Sequence, residues 1–273
     1  MAVDSGGGDD VSEKQTMSKQ RGVSAVEVAA AILDVLYQAR APLRVIEISR
    51  ACGFASAQVH HYLVSLVRTG FVRREGAPVR YALGPFAARL GLAAVDTLEI
   101  QHVSAPFLQA LSDKTAEASF FSIWSPQGPL IVRWHQGQRP LTVYARLGTV
   151  MPLLRSATGE VFLAWGDRDA VDVAIENTLL HYPPDQRDGQ RVDLDARRSL
   201  ARRRGYGATS GGMFKDIDAI STPIFERGGK LAGALTILGL AASIDVSPES
   251  TVVAATLDVA RDFSAKMGFD ADT

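Results

Sequence analysis

"SAQVHHYLVSLVRTGFVRREGAPVRYAL", Ser56 to Leu83, decides how the first third of the chain is read. At about 100° per residue, Val59, Tyr62, Leu63 and Leu66 fall on one helical stripe. Ala57, His61 and Arg68 lie opposite, Gln58 and Ser65 lie on the flank, and His60 sits at the stripe's edge. The doubled histidine invites a metal site. Neighbouring residues point about 100° apart, however, whereas helical metal pairs stand at i and i+4. No carboxylate falls in this helix to complete such a site. What remains is a helix with one buried stripe and one short, polar face, expected to be capped by Ser56 and ended by Gly70. Such a face suits the major groove. Small side chains allow close approach, Gln58 can pair with adenine, and His61 can donate to guanine or to phosphate. The residues that follow read as strand, turn, strand: a hairpin carrying Arg73, Arg74 and Arg80, cations suited to phosphate or the minor groove.

Upstream, "SAVEVAAAILDVLYQA" (24–39) reads as an amphipathic helix with Val26, Ala29, Ala30, Leu33, Leu36 and Tyr37 at helical spacing. "LRVIEISRAC" makes a second, short helix stopped by Gly53. Helix, helix, helix, hairpin is the order of a winged helix-turn-helix over 22–83. The charge agrees. Between Arg40 and Arg89 eight arginines, Arg44 among them, face only Glu47 and Glu75, although the whole chain of 273 residues carries a net −1. A basic segment in a neutral protein marks an anion-facing surface. The remaining composition is that of an ordinary globular protein. Residues 1–21 are acidic and glycine-rich without an apolar signal core, and read as a disordered tail. No apolar run reaches the roughly 18 residues of a membrane span, so the cytoplasm is the expected location. The single cysteine, Cys52, excludes an intrachain disulfide and a cysteine-based zinc site, and reads as packed. No cofactor is expected.

Downstream, a linker helix over 84–100 begins at Pro85. A second domain, 101–269, opens with a helix. "ASFFSIWS" and "PLIVRWHQ" make a hairpin in which Leu130, Val132 and Trp134 alternate with a wet face of Arg133 and His135. "PLTVYAR" reads as a third strand, and "SATGEVFLAWG" and "DLDARRSLARRRG" as helices. Two strands pair around the Arg-Gly-Gly turn at 227–229, and a helix from about Pro248 to Lys266 closes the chain. Trp124 and Trp134 are expected in the core. The arginines of "RRRGYG" are read as facing a helix dipole, with Gly205 as the cap, rather than as a phosphate patch. The class is α+β with a mostly antiparallel sheet.

On these residues the chain resembles the IclR-family transcriptional regulators. The winged segment from Ser24 to Pro85 carries the resemblance, as do "LGTVMPLLRSATGEVFLAW" and "RRRGYGATSGGMFKDIDAISTPIFERGGKLAGALTILG" in the second half. It covers about Gly22 to Phe269. It implies a homodimer or dimer of dimers on double-stranded operator DNA, and a GAF-like effector-binding domain. DNA contacts are implied for Arg44, Ser56, Ala57, Gln58, His60, His61, Ser65, Arg68, Arg73, Arg74 and Arg80. The family's recognition helix usually carries Ser-Thr and an arginine three residues after the Thr. Here Ala57, Gln58 and His61 stand in those places, so the family's operator preferences do not carry over. The implied effector residues are Met151, Ala157, Thr158, Thr209, Ile217, Ala219, Thr236 and Leu238, with Arg155 at the mouth to pair a carboxylate. Members that bind small acids tend to offer Asp, Cys and two Ser where this chain has Thr209, Ala219, Thr236 and Leu238. A drier pocket and a larger, partly apolar or aromatic acid are the expectation.

The resemblance implies an effector-switched regulator, expected to be a repressor of a catabolic or transport operon. Two other classes stand beside it. A ligand-sensing regulator of a protein partner would not need the arginine-rich hairpin. An enzyme would need machinery the chain does not display: there is no Gly-x-Ser-x-Gly elbow and no His-Glu-x-x-His, and His102, His135 and His181 are scattered.

Overall fold

Three helices and a hairpin build the first part of the molecule. The computed structural model describes residues 23–39, 41–96, 99–139, 145–191, 194–212 and 215–270. The expected tail over 1–21, and most of the expected strand at 140–146, lie outside these residues. The chain divides into two compact units, one up to Ala94 and one from Val95.

The first unit comprises α1 (Ser24–Ala39), α2 (Val45–Cys52), α3 (Ser56–Arg68) and an antiparallel pair, β1 (Val72–Glu75) and β2 (Arg80–Leu83). Its core joins Ile32 and Leu36 of α1, Ile48 of α2, Val59, Leu63 and Leu66 of α3, and Val72 and Tyr81 of the strands. Half-buried Cys52 packs at its margin. The buried face of α1 differs from the expected one. Val28, Ile32 and Leu36 point inward, while Val26 is 66% and Tyr37 40% exposed. An alanine-rich helix offers two apolar stripes, and the one with a bulky residue at every i+4 step removes more apolar area from water.

The turn between α2 and α3 is held by backbone and hydroxyls. Gly53 takes the left-handed conformation that a residue with a Cβ resists, and donates its N–H to Ser49 O. Ser56 does not cap α3. Ala55 is the N-cap, and Ser56 Oγ donates to Ser49 Oγ at 3.1 Å, which donates on to Phe54 O at 2.6 Å. At the start of α2, Glu47 accepts from the Arg44 backbone N–H at 2.6 Å and from its guanidinium at 2.9 Å. The guanidinium bond, seconded by the backbone bond, lowers the Glu47 pKa to about 2. A carboxylate whose pKa falls on folding stabilises the fold above its ordinary pKa and loses that contribution as pH falls through the folded value. A carbon-detected NMR titration should therefore place the Glu47 midpoint near 2, and Arg44→Ala should return it toward the ordinary carboxylate range. An ordinary midpoint in the parent protein would show that the pair does not form.

After β2 comes α4 (Pro85–Asp96), then α5 (Glu99–Thr115). Residues 97 and 98 of the linker helix expected over 84–100 lie outside the described residues; Ile100 belongs to α5, where it packs against the core of the second unit. The second unit is built on a five-stranded antiparallel sheet: β3 (Ala118–Ser125), β4 (Gly128–His135), β5 (Gly207–Ser210), β6 (Ile217–Phe225) and β7 (Leu231–Leu240). Its order is β4-β3-β7-β6-β5. Leu108 and Leu111 of α5 and Phe263 of α10 (Thr251–Lys266) pack on one face, against Phe121, Leu235 and Ile237. The other face is covered by α6 (Ala157–Trp165), whose Val161 and Phe162 pack with Ala234. Both faces are thus dry, so the strands lack the alternation of a half-wetted sheet. In β4 the expected one-in, one-out pattern fails outright: a register shift opposite Phe121 and Ser122 leaves adjacent Ile131 and Val132 both buried.

Three further helices follow α6: α7 (Arg168–Leu179), α8 (Pro184–Arg191) and α9 (Leu194–Arg204). The arginines of α9 have an internal task. Arg197 donates to Leu154 O, Arg198 to Leu163 O and to Asp172, and Arg202 to Ala164 O. Arg198 and Arg202 thus cap the last carbonyls of α6 and face that helix's dipole, while Arg197 ties α9 to the loop before α6. Gly205, with φ 79°, ends α9 as expected.

Candidate functional site

In α3 the inward stripe is Val59, Leu63 and Leu66, with Tyr62 half-buried. Ala57, Gln58, His60, His61, Ser65 and Arg68 are all exposed, so His60 lies outside the stripe's edge where it was expected. The rings of His61 and Tyr62 meet edge to face at 6.3 Å, which braces His61 on the helix surface. Val64, 44% exposed, shares this surface. Sequence reasoning passed over it, although a helical wheel already sets it opposite Val59. No group of three or more His, Cys, Asp or Glu side chains that could hold a metal occurs among the described residues.

The named arginines divide by partner. Arg44 is tied to Glu47. Arg80 donates to Pro42 O at 3.2 Å and stands 3.9 Å from Glu47. Together they hold β2 against the start of α2. Arg73 pairs with Glu75 on its own strand. Arg68 and Arg74 are exposed and have no ion pair among the described residues. Of the five, Arg68 at the end of α3 and Arg74 on β1 are thus the cations least neutralised by the fold.

In the second unit, eight of the nine residues singled out for an effector line one cavity. Met151, Ala157 and Thr158 come from α6 and the loop before it. Thr209, Ile217, Ala219, Thr236 and Leu238 come from β5, β6 and β7. Phe120, Ala145 and Ser156 join them. Phe120 stacks on Trp134 at 5.7 Å, so that tryptophan backs the cavity wall; Trp124 packs on Phe162 further along α6. The ninth residue, Arg155, points away: it is exposed and donates to Gly212 O at 3.4 Å.

The cavity holds about 30 Å³, roughly the share of one water molecule in the liquid. Two of its hydroxyls bond to each other, and one of these also to Ser221. Thr158 Oγ1 and Thr236 Oγ1 are 3.0 Å apart, and Thr236 Oγ1 and Ser221 Oγ 2.8 Å. Ser156 Oγ accepts from Gly159 N and donates to Pro152 O, capping α6. No charged side chain is in the lining. Thr209 adds a hydroxyl to the lining, and the first turn of α6 adds amides that a helix cannot pair internally and that carry its positive dipole end, of which Gly159 N–H is taken by Ser156. Gly159 brings that helix close: a Cβ there would lie 2.1 Å from Leu153 O.

A winged helix-turn-helix followed by this domain has a known counterpart. The family model for the IclR helix-turn-helix domain matches residues 25–76, and that for the C-terminal region of bacterial IclR transcriptional regulators matches 92–265. The chain belongs to the IclR family. It is a DNA-binding transcriptional regulator, not an enzyme. It is 29% identical to the glycerol operon regulatory protein of Streptomyces coelicolor, over 91% of this chain and 98% of that one. Among solved structures, HmgR of Pseudomonas aeruginosa is 30% identical, with a TM-score of 0.56, covering 91% of this chain and all of that one. An IclR homologue of Microbacterium hydrocarbonoxydans, solved with 4-hydroxybenzoate, shares the fold at a TM-score of 0.67 and 19% identity, over 89% and 99% of the two chains. No helix among the described residues of this IclR-family protein is long and apolar enough to cross a membrane.

Proposed function

We propose that this regulator is a repressor of a catabolic or transport operon, released by a small aromatic carboxylic acid. The observation that carries the ligand class is the cavity itself. Its walls are Phe120, Met151, Ile217, Ala219 and Leu238, and Ala157 and Thr158 of the lining stand in the first turn of α6, where a helix leaves amides without internal partners. Those amides replace Arg155 as the carboxylate partner, since a helix N-terminus receives anions without a charged side chain. The 4-hydroxybenzoate bound by the Microbacterium homologue is of this class. A benzoate needs more room than about 30 Å³, so this reading requires α6 and the sheet to stand further apart when the acid is bound. Differential affinity for the two forms is what an allosteric switch requires.

On the DNA side, α3 enters the major groove with Gln58 and His61 toward base edges. Ala57 allows close approach and Val64 meets a thymine methyl. Arg68 and Arg74 neutralise phosphates. Two copies related by a twofold axis place their α3 helices on half-sites about 34 Å apart.

The test is a gel shift with the DNA upstream of the regulator's own gene, preceded by a thermal-shift screen of acids. The expected result is salt-sensitive, sequence-specific binding, weakened by 4-hydroxybenzoate or another benzoate that raises the melting temperature. Tight binding of pyruvate or glyoxylate with no response to aromatic acids would overturn the ligand class. An absence of specific binding at low salt would overturn the regulator's site assignment.

A further inference from the structure

The far end of α6 borders a second concavity that the effector reading does not use. This groove, about 710 Å³, lies between the last turn of α6, the end of β3 and the β6–β7 hairpin. That volume falls in the range of small-molecule sites. Two half-buried indoles line it, Trp124 and Trp165, together with Phe162, on whose ring Trp124 packs. Trp165 is held edge-on against Phe225 at 6.5 Å, so both indoles are positioned by other rings.

The charges that line the groove are Asp167, Glu226 and Lys230. None of the three forms a salt bridge among the described residues. Asp167 spends one oxygen capping α7 at Ala170 N, and Glu226 is half-buried. Lys230 stands on the exposed turn. Two carboxylates and one ammonium leave the groove net negative. Indole faces attract cations as well.

We propose that this groove is a second ligand site, for a small aromatic cation such as a protonated arylalkylamine. The ring packs against Trp124 and Trp165, and the ammonium pairs with Glu226. A ligand there bears on the same helix whose first turn walls the effector cavity.

The test is isothermal titration of the full chain with phenethylammonium, and with phenylacetate as the anionic counterpart. The expected result is one saturable site for the cation, weakened about tenfold by Trp165→Leu. Glu226→Gln, a half-buried position whose variant keeps its packing, weakens it several-fold and flattens its salt dependence. Trp165→Phe restores part of the affinity lost in Trp165→Leu. The proposal is overturned if phenethylammonium gives no binding at about 10 mM, if neither variant changes its affinity, or if phenylacetate binds as tightly and loses that binding in Lys230→Met.

Discussion

Leu63→Ala should destabilise the helix-turn-helix unit by about 2–5 kcal/mol, the usual cost of emptying a buried leucine site that cannot collapse. Leu63 is fully buried and belongs to a core shared by α1, α2, α3 and both strands, so no single element can move in to fill the void. The unit is small, and small units bury a low fraction of their surface and have little stability to spare. The effect can be seen separately from the rest of the chain. Trp124, Trp134 and Trp165 all lie in the unit from Val95 onward, so their emission follows that unit alone. Far-ultraviolet ellipticity follows both. In Leu63→Ala the ellipticity should lose a step at lower temperature while the tryptophan transition stays in place. DNA binding should vanish with the early step. A variant that melts like its parent by ellipticity would show that Leu63 is not a keystone of this core.

The same residue shows why the helix-turn-helix is legible in the sequence. Val59, Leu63 and Leu66 are bulky and stand at i, i+4 and i+7, while Ala57, Gln58, His61, Ser65 and Arg68 leave the opposite face largely small or polar, so one face is the clear candidate for burial. In α1 that condition fails. Alanines let two stripes pass as apolar, and the buried one is decided by packing against α2 and α3, which no local pattern records. Helix α7 shows apolar residues at helical spacing in Val171, Ala174, Ile175 and Leu179, yet went unread, as did α8. The latter buries nothing and has no apolar period to find.

The effector residues are a different case. Nothing in the periodicity of Thr209, Ala219 or Thr236 marks a cavity; family resemblance supplied those positions. Phe120 and Ala145 come to the cavity from β3 and the segment after β4, and were missed. Arg44, Arg80 and Arg155 mark the limit from the other side. As letters they are free cations. In the fold Arg44 and Arg80 serve Glu47, and Arg155 serves a backbone carbonyl. Long flexible side chains find partners through tertiary structure, so a local count of arginines overstates the charge offered to DNA.

The paired substitution Gln58→Ala with His61→Ala should lower affinity for the specific DNA site about a hundredfold and leave the melting temperature unchanged. Each well-formed contact to a base edge is worth about 1–3 kcal/mol against the wrong base, and surface changes away from special features cost little stability. Both side chains are exposed, and neither hydrogen-bonds to the fold among the described residues, so their removal leaves no buried group unpaired. Non-specific binding rests on phosphate contacts, so it should persist in the double variant with its salt dependence intact. Arg74→Ala should do the reverse, weakening specific and non-specific complexes alike and reducing the salt slope by about one. The comparison decides whether α3 reads sequence. If the double variant loses specific and non-specific affinity in equal measure, the helix serves only as an electrostatic dock. If it loses neither, the exposed face of α3 does not meet the bases.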